Sequence, residues 1–174
     1  MNDQPAFTIR KALLVPVGLL TLLVAVLLVI VITQGQPIAK AVILAVMMLP
    51  LLLFFVESAV RRVEIDAEAV TVHKLMRRRS FAYAELTAVE VVVVRQRAFL
   101  SLSAGDDFLI LTNGYADFAG LVGALLERAP DGAVSEESRR HAESLPVKRS
   151  DIVSAWLLTA LLVYVIYVQL AGHP

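Results

Sequence analysis

Hydrophobic residues fall along this chain in two regimes. In three stretches they run almost unbroken. Ala12–Thr33 (ALLVPVGLLTLLVAVLLVIVIT) has no ionisable residue, Ile38–Val56 has only Lys40 near its start, and Ile152–Leu170 has no Asp, Glu, Lys, Arg or His. A bilayer core about 30 Å thick is crossed by roughly 20 helical residues. The three stretches therefore predict transmembrane helices at about 12–33, 38–56 and 152–170.

Between the second and third stretches the period shortens to two. Val63-Glu64-Ile65-Asp66, Val70-Thr71-Val72-His73 and Ser80-Phe81-Ala82-Tyr83 alternate. A β-branched run follows from Leu86 to Val94, then Phe99–Ser103 and the short apolar Phe108–Thr112. Runs of this length bounded by polar clusters predict strands. Asp66–Glu68, Met76–Arg79, Arg95–Arg97 and Ala104–Asp107 are the expected turns, and their close spacing predicts antiparallel hairpins. The period then becomes helical. Phe118, Leu121, Val122, Leu125 and Leu126 form one apolar stripe, with Asn113 as the expected N-cap and Pro130 as the stop. The fold class expected is thus an α+β membrane protein: three transmembrane helices plus a small antiparallel β-barrel capped by one C-terminal helix near Asn113–Arg128. The division expected is a tail and transmembrane hairpin (1–59), a strand-rich domain (60–130), a polar linker (131–151), and a third span with its tail (152–174).

Composition supports this division. Hydrophobic residues make up 58% of the 174, above the 45–50% usual for soluble domains. The formal net charge of zero hides an asymmetry. Arg10 and Lys11 precede the first span, Arg61 and Arg62 follow the second, and Lys148 and Arg149 precede the third. Neither Gln34–Pro37 nor Ala171–Pro174 holds a Lys or Arg. Cytoplasmic flanks carry the Lys/Arg excess, which puts the N-terminus and central domain inside and the C-terminus outside. The first apolar stretch exceeds the 7–15 residues of a secretory h-region, so it is read as a retained anchor. The spans hold no deep Asp, Glu, His or Arg, which argues against a transport pathway. Pro50 is expected to be a static kink within the second span. Without cysteine, disulfides and thiolate metal sites are excluded.

The insert resembles the membrane-anchored bacterial pleckstrin-homology-like (PH-like) domains. The resemblance lies in Val63-Glu64-Ile65-Asp66 with Val70 after the turn, in Arg79-Ser80-Phe81-Ala82-Tyr83-Ala84-Glu85-Leu86, and in Asn113-Gly114-Tyr115 leading into the helix. It covers about residues 40–130. Ala69 stands where a turn glycine is common, and the third span lies beyond the familiar hairpin-plus-domain layout. The resemblance implies binding or scaffolding and brings no catalytic residue set.

Two sets of residues are candidate sites. Arg77, Arg78 and Arg79 form the densest charge cluster and are candidates for contact with anionic lipid headgroups. Val92 and Val94 belong to a run that is apolar on both strand faces, so one face is a candidate interaction strand. His73, His141 and His173 show no ligand spacing. Asp106 and Asp107 read as turn chemistry, Ser80, Ser101 and Ser103 lack a nucleophile-elbow context, and no phosphate-binding glycine loop occurs. No cofactor, metal, nucleic acid or small-molecule substrate is expected. Ser135–Glu143 reads as a solvated helix or a tether. The function expected is a non-catalytic inner-membrane protein presenting a PH-like domain to a protein partner or to itself. The alternatives are an anionic-lipid-responsive sensor and an accessory subunit of a membrane enzyme or transporter.

Overall fold

The computed structural model describes residues 6–130, 132–147 and 149–172. Lys148, His173 and Pro174, and with them the expected position of the C-terminus, lie outside the described residues. The chain divides into two compact units, one of residues 1–10 and 60–148, the other of 11–59 and 149–174.

Among the described residues, the second unit has three helices, α1 (Lys11–Thr33), α2 (Ile38–Val60) and α5 (Ser150–Ala171). Each is long and apolar enough to cross a membrane. Most positions around these helices are apolar, so packing is selected chiefly by shape. The enclosed or half-enclosed positions of α5 are Ile152, Ala155, Thr159, Leu162, Ile166 and Gln169, spaced alternately three and four apart. That is the heptad spacing of a helix–helix seam, and α5 packs along α1. Small and polar residues close the seam. Thr159 Oγ1 donates to the carbonyls of Ala155 at 2.8 Å and Pro16 at 3.3 Å, and Gln169 Nε2 donates to Gln34 Oε1 at 2.8 Å. Against α2, Gly18 admits the Phe55 ring; a Cβ there would lie 2.8 Å from Phe55 Cε2. Pro50 sits inside α2, whose helix continues on both sides of it.

Among the described residues, the first unit has seven strands in two antiparallel sheets. One has the order β1 (Ala6–Thr8), β2 (Arg62–Ile65), β3 (Ala69–His73), β4 (Arg78–Ala82). The other has the order β5 (Ala88–Val94), β6 (Arg97–Ala104), β7 (Asp107–Thr112). Alternation places Val63, Ile65, Val70, Val72 and Phe81 on the inner face of the first sheet. Val89, Val91, Leu100, Leu102, Leu109 and Leu111 line the inner face of the second. Helix α3 (Phe118–Arg128) adds Phe118, Leu121, Val122 and Leu125, all buried. Each such side chain contributes roughly 1.5–3 kcal/mol on burial. The β6–β7 turn carries Gly105 at φ 58°, a left-handed backbone that glycine adopts without penalty.

Four features depart from the sequence reading. The sheets do not close into a barrel: β4 and β7 are edge strands of separate sheets, because the chain leaves β4 through a 3-10 turn, Tyr83–Glu85, before starting the second sheet. The helix starts at Phe118, capped by Asp117, whose carboxylate accepts from Gly120 N at 2.9 Å. Asn113 is instead buried, donating from Nδ2 to the carbonyls of Gln96 at 3.0 Å and Pro146 at 2.9 Å. The N-terminal segment forms a strand: Ala6–Thr8 pairs with β2, while Ala116 N donates to Thr8 O at 2.9 Å on the other side. Finally, α4 (Glu136–Glu143) runs through the polar stretch and attaches to β5. Val89 N donates to Ala133 O at 2.8 Å, Val91 N to Ser138 Oγ at 3.1 Å, and His141 Nδ1 to Val91 O at 3.0 Å. The free edge of β5 is thereby satisfied without another strand.

Candidate interaction surface

Register decides which side chains of the second sheet share its outer face. Opposite Glu90, Val92 and Val94 of β5 stand Ser101, Phe99 and Arg97 of β6. Opposite Phe99, Ser101 and Ser103 stand Thr112, Ile110 and Phe108 of β7. The apolar members run diagonally: Val94, then Val92 beside Phe99, then Ile110, then Phe108. Val92 is 45% exposed, Val94 55%, Ile110 51% and Phe108 64%, so one sheet face presents a continuous apolar stripe to solvent. With about 3.4 Å per residue along a strand and 4.8 Å between strands, the stripe is about 20 Å long. Glu90, Ser101 and Ser103 flank one side, Arg97 and Thr112 the other.

The structure thus joins Val92 and Val94 to Phe99, Ile110 and Phe108, which the sequence reading did not select. A signal for them existed. Phe108-Leu109-Ile110-Leu111 is apolar at consecutive positions, the same two-faced pattern as Val91–Val94. Leu109 and Leu111 turn inward, which leaves Phe108 and Ile110 outside.

The three arginines are not brought together in this way. The turn closes at Lys74–Arg77, with Lys74 N donating to Arg77 O at 2.8 Å, so Arg78 and Arg79 belong to β4 rather than to the turn. Neighbours on a strand face opposite sides. Arg78 stands opposite His73 on the outer face, and Arg79 stands opposite Val72. A cleft of about 400 Å³ is lined by Lys74, Arg77 and Arg79 on one side and by Asp106, Asp107 and Phe108 on the other. Arg79 Nη1 lies 3.8 Å from Asp107 Oδ1 in an exposed pair, an interaction worth at most about 1 kcal/mol. Two carboxylates at its wall weaken the cleft as an anion site. Arg78 and Arg79 also border a shallower recess of about 370 Å³ with Ser80 and Glu85.

The outer face of the first sheet is finished differently. Thr71 Oγ1 and Ser80 Oγ share a hydrogen bond of 3.0 Å. Glu64 accepts from His73 Nε2 at 2.8 Å and from Arg62 Nε at 3.0 Å. Tyr83, at the end of this sheet, donates its hydroxyl to Asp66 O at 3.2 Å. Burial raises its pKa and Asp66 adds to the rise, while the Arg128 charge opposes it. Among the described residues, no group of three or more His, Asp or Glu is arranged to hold a metal ion. Comparison with known protein families, with curated proteins and with solved structures gives no match to this chain.

Proposed function

We propose that this chain is an integral inner-membrane protein that displays a PH-like domain on the cytoplasmic side as a protein-interaction or scaffolding module, without catalysis of its own. The observation that carries the reading is the apolar stripe on the outer face of β5–β7. A small domain that hydrogen-bonds one outer face and leaves the other apolar has a surface suited to a protein partner. Antiparallel hairpins followed by α3 support the PH-like assignment in its open, two-sheet form. The pairing of β1 with β2 supports the topology: residues before α1 and after α2 must share one side of any membrane those helices cross. The Lys/Arg excess at Arg10, Lys11, Arg61, Arg62 and Arg149 supports that side being cytoplasmic.

A photoreactive residue at Ile110 in the full chain, with one at Ser80 as the control, tests the reading in cells. Discrete protein adducts from Ile110 and none from Ser80 are expected; equal yields from both, or none from either, would remove it. The lipid-sensing alternative keeps one favourable observation, the convergence of Lys74, Arg77 and Arg79 on one cleft. It requires salt-sensitive contact with anionic vesicles that Arg77→Gln and Arg79→Gln abolish.

A further inference from the structure

We infer that the open edge of β7 is a docking site for an extended segment of a partner protein, which adds to the second sheet as an antiparallel strand. This rests on the interaction reading above and supplies the partner's chemistry. The two sheets end in four strands, β1, β4, β5 and β7, and an unpaired edge is a template for another chain unless something blunts it. Among the described residues, the first three edges are blunted. Beyond β1, Thr8 O accepts from Ala116 N at 2.9 Å and Arg10 N donates to Gly114 O at 3.2 Å. β4 carries Arg78 and Arg79, charges that discourage pairing. On β5, Val89 N and Val91 N are taken by Ala133 and Ser138. β7, Asp107-Phe108-Leu109-Ile110-Leu111-Thr112, holds no lysine, arginine or proline, and its register against β6 runs without a bulge.

Register fixes what such a segment meets. Asn113 N donates to Ala98 O at 3.0 Å, in line with Leu111 opposite Leu100 and Leu109 opposite Leu102. The odd-numbered residues of β7 therefore turn their backbone groups to β6, and Phe108, Ile110 and Thr112 turn theirs to the open side. The side chains of Phe108 and Ile110 are the exposed end of the stripe. A residue opposite either one exchanges backbone hydrogen bonds with it and sets its own side chain beside it, so alternate residues of the segment are apolar. The residues between them turn to the other face, at the cleft walled by Lys74, Arg77 and Arg79 and by Asp106 and Asp107; these are polar or charged. Main-chain pairing then gives affinity, and the alternation gives specificity.

The probe is a short acetylated and amidated peptide in which isoleucine alternates with glutamate and lysine, added to the full chain in detergent micelles. Binding should slow hydrogen exchange at the amides of Phe108, Ile110 and Thr112 at least fivefold and leave those of Leu109 and Leu111 unchanged. Methylating the isoleucine nitrogens, which face β7, should weaken binding at least tenfold. Methylating the glutamate and lysine nitrogens, which face away, should not. Ile110→Pro, which removes an edge N–H, should abolish binding, and Ile110→Val should retain it, with circular dichroism checking the fold of each. The two methylation patterns need no variant and decide the matter if Ile110→Pro misfolds. No binding, or equal losses from the two patterns, would overturn the inference. Discrete protein adducts from a photoreactive residue at Ile110 would then leave the interaction reading standing, with the partner on the sheet face rather than its edge. Failure of both removes both.

Discussion

The two sheets of the strand-rich unit share one core but end differently on their outer faces. On the first, Glu64, Thr71, His73 and Ser80 answer one another across β2, β3 and β4, and Thr71 is only 2% exposed under that polar layer. On the second, the equivalent positions hold Val92, Phe99, Ile110 and Phe108, of which Phe99 is half-buried and the other three are exposed. Cross-strand pairs stabilise a sheet whether polar or apolar, so both solutions hold strands together. They differ in what they leave for another molecule. The polar face has its hydrogen bonds made and gains little from a partner. The apolar face keeps the free energy of burial in reserve.

That contrast predicts a steep difference between the inner and outer sides of the same sheet. Leu100 is fully buried on β6, and Leu100→Ala should cost about 2–5 kcal/mol in chemical or thermal unfolding of the full chain. Ile110→Ser and Phe108→Ser, on the outer side, should stay within about 0.5 kcal/mol. If Ile110→Ser destabilised as much as Leu100→Ala, the outer side would be core and the contrast would fail.

The edge of β5 comes next in size. Ser138 is 3% exposed and accepts from the buried Val91 N. Ser138→Ala leaves that N–H without its partner and should cost about 1–3 kcal/mol. It should also speed hydrogen exchange at Val91 relative to Leu102. An unchanged exchange rate would mean that α4 does not cap the edge.

A smaller effect is expected at the end of the polar sheet. Folding favours the neutral phenol of Tyr83, because burial raises its pKa. Its contribution is intact below the pKa of an unfolded tyrosine, about 10, and is lost as pH rises through the higher folded value. Tyr83→Phe should cost about 1 kcal/mol near neutrality, from the lost hydrogen bond to Asp66 O, and should flatten the fall in stability above pH ~10. An alkaline profile identical in the two proteins would contradict the burial of this hydroxyl.

The smallest effect has the opposite sign. Arg95, in the β5–β6 turn beside Val94, has φ 55°, a left-handed conformation for a residue with a Cβ. Arg95→Gly should stabilise by up to about 1 kcal/mol, measured by the same unfolding transitions. A loss of stability would show that the Arg95 side chain holds the turn by a contact of its own.

How much of this was legible in the residues depends on where polarity carries information. The three long helices and the six strands β2–β7 follow from hydrophobic period, because each has either an unbroken apolar run or an alternating one. The helix seams were not legible. Ile152, Ala155 and Leu162 are no more apolar than their exposed neighbours Val153 and Leu161, and only shape distinguishes them. Strand β1 has three residues with a single large side chain, Phe7, too little for a periodic signal. Its existence depends on β2 and on Thr8 O meeting Ala116 N. Helix α4 reads as solvated because its useful groups, the Ser138 hydroxyl and the His141 ring, are polar and act on the backbone of β5. The arginine cluster was legible as charge but not as geometry. Moving the turn by two residues, from Met76–Arg79 to Lys74–Arg77, sends Arg78 and Arg79 to opposite faces. Val92 and Val94 were legible as a two-faced run; the rest of the stripe needed the register of β7.

The rate of thiol modification in native membranes tests the central claim most directly. Ile110→Cys on the apolar face and Ser80→Cys on the polar face should be probed with the same soluble maleimide in opened membranes, then again after detergent solubilisation and dilution. A face in use is predicted to react slowly in the membrane and at least fivefold faster once diluted, while Ser80→Cys reacts quickly under both conditions. Equal, rapid modification of the two thiols in the membrane would show that the apolar face meets only water, and would contradict the account.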